Sequence, residues 1–126
     1  MKIEHAALWA DDIDKLKDFY IKYFNVTSSE LYFNEKTKFK SYFLYFEEGS
    51  RLEIMNKPFL KGHLGDGKGY AHIAISVGDR EAVDSFAQQF SQDGYPLLSG
   101  PRVTGDGYYE AVIQDPEGNL LELTTY

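Results

Sequence analysis

An α+β fold of two tandem βαβββ modules is what this sequence predicts, and three observations predict it. Segments rich in aromatic and branched residues alternate with two stretches whose apolar residues recur at helical spacing. The order strand, helix, strand, strand, strand is written twice. The two copies also match residue by residue. A shift of 67 places His5 on His72, Asp12 on Asp79, Leu16 on Val83, Phe19 on Phe86 and Tyr23 on Phe90. A shift of 69 places Gly49 on Gly118, Leu52 on Leu121, Glu53 on Glu122 and Ile54 on Leu123. The two-residue difference predicts a small insertion in the strand region of the second copy.

Each element has a local reason. Ile3 to Trp9 reads as a first strand. Asp11-Asp12 supplies a helix cap, because a short carboxylate accepts bonds from the free N–H groups of a first turn. Ile13, Leu16, Phe19, Tyr20, Tyr23 and Phe24 then form a helical stripe. Three strands follow around Leu31-Tyr-Phe, Ser41-Tyr-Phe-Leu-Tyr-Phe and Arg51-Leu-Glu-Ile-Met, separated by turn residues at 34–36 and 48–50. Module 1–57 ends in a glycine-rich loop, 58–69, and module 70–126 begins again with a strand from Tyr70 to Val77. Asp79 caps the second helix, whose stripe is Val83, Phe86, Ala87 and Phe90, and Gly94 stops it. Strands around Leu97–Val103, Tyr108–Gln114 and Asn119–Thr125 complete the second module, for eight strands in all. Asp106-Gly107 suits a hairpin, and Asp115-Pro-Glu-Gly118 has the residue order of a type I turn.

Composition narrows the partners. The 126 residues suit one compact domain with a real core. A formal net charge of -7 and the lack of a basic block speak against nucleic acid. No run approaches the ~20 apolar residues of a membrane span. The start, MKIEHAALWADD, lacks the apolar region and cleavage site of a signal peptide, so a cytoplasmic location is expected. The chain has no cysteine, which excludes thiolate nucleophiles and Cys-type zinc sites. Ten tyrosines and nine phenylalanines suit strands and the lining of an aromatic small-molecule pocket. The glycine cluster of the loop precedes a strand, not a helix, and so fails the context of a dinucleotide or phosphate loop.

The repeat singles out His5, Glu53, His72 and Glu122. A lone glutamate on a half-buried strand is usually on the wet face, and a lone strand histidine is usually structural. At matching positions of a repeat the four together favour a metal site. If each module sets its first and last strands side by side, its histidine and glutamate meet, and pseudo-twofold pairing gathers all four. Imidazole suits zinc, nickel, cobalt and iron, and carboxylates add hard oxygen donors. Four protein ligands in an octahedral site leave two positions open for water or substrate.

IEHAALWADDIDKLKDFY, GYAHIAISV and DPEGNLLELTTY, with EGSRLEI as the partner strand, resemble the vicinal oxygen chelate superfamily, the glyoxalase/bleomycin-resistance/dioxygenase group. The resemblance spans essentially the whole chain. It implies curved mixed sheets around a metal-binding cleft, a helix on the outer face of each sheet, and a homodimer. Within the superfamily the His-Glu-His-Glu set is most similar to bacterial glyoxalase I. That likeness implies a divalent metal, nickel, cobalt or zinc, with iron or manganese as alternatives, held by His5, Glu53, His72 and Glu122. In a glyoxalase I dimer such a site takes His5 and Glu53 from one chain and His72 and Glu122 from the other. The implied reaction is isomerisation of a thiol adduct of a 2-oxoaldehyde through an enediolate, with Glu122 as the base and Glu53 its opposite-face partner.

Other members of the group are alternatives: a fosfomycin-type thiol or epoxide transferase, an epimerase, a dioxygenase, or a metal-free drug-sequestering binding protein. Trp9 stands where glyoxalase I carries an arginine, and Lys57, after Asn56, stands where it carries an asparagine. Those departures point to a thiol other than glutathione. Trp9, Asn56, Lys57, Lys68 and Tyr108 are the candidate substrate contacts.

Overall fold

A computed structural model describes residues 1–63 and 67–126. Leu64, Gly65 and Asp66, in the glycine-rich loop, lie outside the described residues. The chain forms two compact units, Met1–His63 and Leu64–Tyr126. The boundary falls inside the stretch the sequence reads as a loop.

The first unit contains β1 (His5–Trp9), α1 (Ile13–Phe24), β2 (Thr27–Ser28), β3 (Tyr32–Phe33), β4 (Lys40–Tyr45) and β5 (Arg51–Asn56). Its sheet runs β1-β5-β4-β2, with β3 also paired to β4. The first and last strands lie side by side and parallel, with His5 opposite Arg51 and Ala7 opposite Glu53. The second unit contains β6 (His72–Gly78), α2 (Arg80–Gln92), β7 (Leu97–Val103), β8 (Tyr109–Gln114) and β9 (Leu120–Thr125). Its order is β6-β9-β8-β7, and β6 is again parallel to β9, with His72 opposite Leu120 and Ala74 opposite Glu122.

The expected strand around Leu31 is two short strands, so the described residues form nine strands where the sequence predicts eight. The break has a side-chain cause. The Phe43 N–H of β4 donates to the Ser29 hydroxyl at 2.9 Å, while the Ser29 N–H donates to the Phe43 carbonyl at 2.8 Å. A hydroxyl takes the bond that a strand carbonyl accepts in a continuous ladder, and the pairing stops there. The expected insertion in the second copy has a visible counterpart in β7. From Leu97↔Ile113 to Ser99↔Val112, and again from there to Arg102↔Glu110, β7 advances one residue more than β8. Gly100 sits in this irregular stretch at φ +77°, where a Cβ would stand 2.4 Å from the Glu110 carbonyl oxygen. Only glycine fits such a bulge without strain.

The expected caps form. Asp12 accepts from the Lys15 N–H and Asp79 from the Ala82 N–H, both at 3.0 Å. In the first unit Leu16, Tyr20, Leu44 and Ile54 are fully buried where α1 packs on β4 and β5. In the second, Val83, Phe90, Ile113, Leu121 and Leu123 are fully buried where α2 packs on its sheet. Each such aliphatic or aromatic side chain contributes about 1.5–3 kcal/mol of burial. A tyrosine ties each helix to its sheet: the Tyr42 hydroxyl donates to Asp14 at 2.7 Å, and the Tyr109 hydroxyl to Asp84 at 2.6 Å.

Strand alternation converts this burial into a functional face. Leu52 and Ile54 lie under α1, so Arg51 and Glu53 point to the opposite side of the sheet. Leu121 and Leu123 lie under α2, so Glu122 points away from it, as does Glu110 between Ala111 and its strand neighbours.

Candidate metal centre

Each unit brings together one histidine and one glutamate on the sheet face that its helix leaves open. In the second unit His72 Nε2 lies 3.2 Å from Glu122 Oε2. In the first, His5 Nε2 lies 3.7 Å from Glu53 Oε2. The glutamates are largely covered, at 16% and 20% side-chain exposure, and the histidines are more open, at 39% and 41%. The carboxylates are thus anchored in the sheet while the imidazoles remain reachable.

These donor sets fit a divalent metal. A cation bonded to a histidine nitrogen and a carboxylate oxygen at about 2.0–2.2 Å holds the two atoms roughly 2.9–3.5 Å apart. The His72–Glu122 pair already has that spacing, and the His5–Glu53 pair is a few tenths of an ångström wider. Within either unit the described residues gather no group of three or more candidate ligands. Each unit offers two candidate ligands, one histidine and one glutamate.

The surroundings of the two pairs differ. Glu4 contacts His5 Nδ1 with one carboxylate oxygen and the Arg51 guanidinium with the other. Arg51 lies over the Phe43 ring at 4.1 Å, and Phe43 meets the His5 imidazole edge to face at 5.4 Å. Beside the second pair stands Glu110. Burial pushes its carboxyl above the usual range, and the nearby Glu122 charge pushes it further. Sequence reasoning missed Glu4 and Glu110 as site residues. Parity with Glu122 through Ala111 and Ile113 marks Glu110, and adjacency to His5 marks Glu4.

The five candidate substrate contacts divide between the units. Trp9 is 44% exposed at the end of β1, and the Lys57 ammonium sits 4.4 Å over its ring. Trp9 also meets Phe39 edge to face. A cavity of about 660 Å³ opens here, lined by Tyr32, Asn34, Thr37, Phe39, Lys57, Pro58 and Phe59. Asn56 faces the backbone instead: its amide donates to the Ala10 carbonyl at 2.8 Å, which ties β5 to the β1–α1 junction. In the second unit Lys68 lies in the exposed stretch before β6, and Tyr108 is exposed at the β7–β8 turn, its N–H donating to the Thr104 hydroxyl.

A family model for the Glyoxalase/Bleomycin resistance protein/Dioxygenase superfamily matches residues 2–123. The chain belongs to this superfamily. The superfamily assignment extends to the fold, which solved structures share. Glyoxalase I from Leishmania major, described as trypanothione-dependent, superposes with a TM-score of 0.80 at 21% identity, over 99% of this chain and 86% of that one. Glyoxalase I from Zea mays gives 0.81 at 22% identity, over 99% of this chain and 44% of that one. Lactoylglutathione lyase from Agrobacterium tumefaciens gives 0.71 at 21% identity, over 98% and 92%. A search of curated proteins finds no match. Among the described residues no helix is long and apolar enough to cross a membrane.

Proposed function

We propose that this superfamily member is a metal-dependent lyase or isomerase of glyoxalase I type, acting on a thiol adduct of a 2-oxoaldehyde. The observation that supports it is the matched placement of His5 with Glu53 and His72 with Glu122, the second at a spacing suited to a shared divalent cation and the first slightly wider. In this reading the two half-sites form one centre, within a single domain or across a homodimer. Nickel, cobalt or zinc suits the donor set, with iron or manganese as alternatives.

The bound metal supplies electrophilic stabilisation of negative charge on the substrate oxygens. The chain's own groups do the rest. Glu122 takes the C–H proton from the carbon bearing sulfur and returns it to the neighbouring carbon, and the hydroxyl proton passes to the former carbonyl oxygen, converting a hemithioacetal to a 2-hydroxy thioester. Atoms balance without an oxidant or a second substrate. Glu53 lines the opposite face.

Trp9 and Lys57 favour a thiol other than glutathione. Trp9 replaces the arginine of glyoxalase I with an aromatic face, and the Lys57 ammonium lies 4.4 Å over that face.

The test loads purified protein with nickel, cobalt or zinc, measures bound metal, and assays methylglyoxal with glutathione and other thiols. Stoichiometric metal and turnover with one thiol are expected. No bound metal under replete conditions overturns the proposal. Glu122→Gln is expected to keep much of the metal while lowering turnover by about 10²–10⁴-fold. Unchanged turnover in that variant removes Glu122 from the role.

A further inference from the structure

We propose that Glu4 and Arg51 act as positioning residues for His5, fixing its proton on Nδ1 and leaving the Nε2 lone pair directed at the Glu53 side of the site. The inference rests on the metal reading above for its purpose. Its geometry stands independently.

A neutral imidazole carries one N–H and one lone pair, and the partner of one nitrogen decides the role of the other. His5 Nδ1 is in contact with a Glu4 carboxylate oxygen, which as a carboxylate only accepts. Nδ1 is therefore the donor, and Nε2, 3.7 Å from Glu53 Oε2, is the free ligand atom. A carboxylate behind a ligating histidine both holds the ring and raises its basicity.

Glu4 could not do this alone. Its side chain is 57% exposed, and an unrestrained carboxylate beside a cation site would swing in and compete as a ligand. Arg51 prevents that by pairing with the other Glu4 oxygen. Arg51 in turn lies over two rings of β4, 4.1 Å from Phe43 and 5.7 Å from Tyr45. Phe43 then touches His5, so the four side chains close a ring of contacts: Glu4, His5, Phe43 and Arg51.

Among the described residues the second unit lacks this device. Ala71 precedes His72 where Glu4 precedes His5, Leu120 matches Arg51, and Val112 matches Phe43. The duplicated histidines are therefore not equivalent. His5 is preset by side chains of its own unit, and among the described residues no such set of side chains flanks His72.

Two readouts test this on the full chain. The first is the His5 tautomer in metal-free protein above neutral pH, read from two-bond proton–nitrogen couplings of the imidazole. Wild type is expected to show the Nδ1–H form. Glu4→Ala shifts His5 toward a mixture and leaves His72 unchanged, and Glu4→Gln, which keeps an oxygen acceptor, retains most of the wild-type form. An Nε2–H tautomer for His5 in wild type overturns the proposal. The second readout is zinc affinity by competition with a chromophoric chelator. Glu4→Ala is expected to weaken binding by about 10–100-fold. Arg51→Met weakens it less and adds little in the Glu4→Ala background, because both act through one contact chain. Affinity within twofold of wild type in folded Glu4→Ala also overturns the proposal. Failure of wild type to bind any metal refutes the metal reading instead, and the tautomer measurement still decides the positioning of His5.

Discussion

Asp115→Ala should destabilise the protein by about 2–4 kcal/mol, and the turn that launches β9 shows why. Asp115 is 4% exposed. Its Oδ1 accepts from the Glu117 N–H at 2.9 Å and the Asn119 N–H at 3.0 Å, and its Oδ2 accepts from the Asn119 side-chain amide at 2.9 Å. Its backbone closes the same turn, with the Gly118 N–H donating to its carbonyl at 3.0 Å. Bonds to a charged acceptor contribute about 1.5–3 kcal/mol each, and a simple sum overshoots because the half-buried amides regain water in the variant. Unfolding entropy of about 2.1 cal/mol/K per residue gives roughly 0.26 kcal/mol/K for this chain, so the loss reads as about 8–15 °C in Tm. Urea denaturation of metal-free protein followed by circular dichroism measures it. Asp115→Asn keeps an oxygen for both backbone donors and should lose about half as much. Stability of Asp115→Ala within about 0.5 kcal/mol of wild type refutes the reasoning. Equal damage from Asn and Ala would show that acceptance by Oδ1 is not what holds the turn.

Two further outcomes follow from the packing. The bond to Asp14, with burial, pushes the Tyr42 hydroxyl up to about 12. A raised folded value means stability fully present below the unfolded value near ~10 and lost as pH climbs through about 12. Tyr42→Phe should cost about 1 kcal/mol at neutral pH and flatten the decline across that window. Urea midpoints measured across the window check this, and parallel curves for the two proteins refute it. Gly100→Ala forces a Cβ against the Glu110 carbonyl at a positive φ, and should cost at least ~2 kcal/mol by the same denaturation assay. A neutral result would mean that β7 relaxes without loss.

Much of the architecture is legible because it follows from local rules. Asp12 and Asp79 announce helix starts by chemistry that needs no tertiary context, and the apolar stripes behind them become the buried faces of α1 and α2. The second unit repeats the predicted elements nearly residue for residue. The first departs at Ser29, where one hydroxyl replaces a strand carbonyl, a choice that propensity does not encode. Asn56 shows a contact that propensity does not encode either: its amide donates to the Ala10 carbonyl, across from β5 to just past the end of β1.

The sequence by itself determined that a βαβββ unit is written twice and that each copy carries one histidine and one glutamate, because periodicity and repetition are properties of the linear order. Parallel pairing of first and last strands decided that each histidine meets its own glutamate, at 3.7 and 3.2 Å. Tertiary structure alone also decided what stands behind them. Glu4, just before β1, and Phe43 of β4 meet His5, Arg51 of β5 joins those two, and Glu110 approaches Glu122 from a neighbouring strand. The physical reason is that side-chain contacts between strands depend on register, and register is set by how a whole sheet packs under its helix.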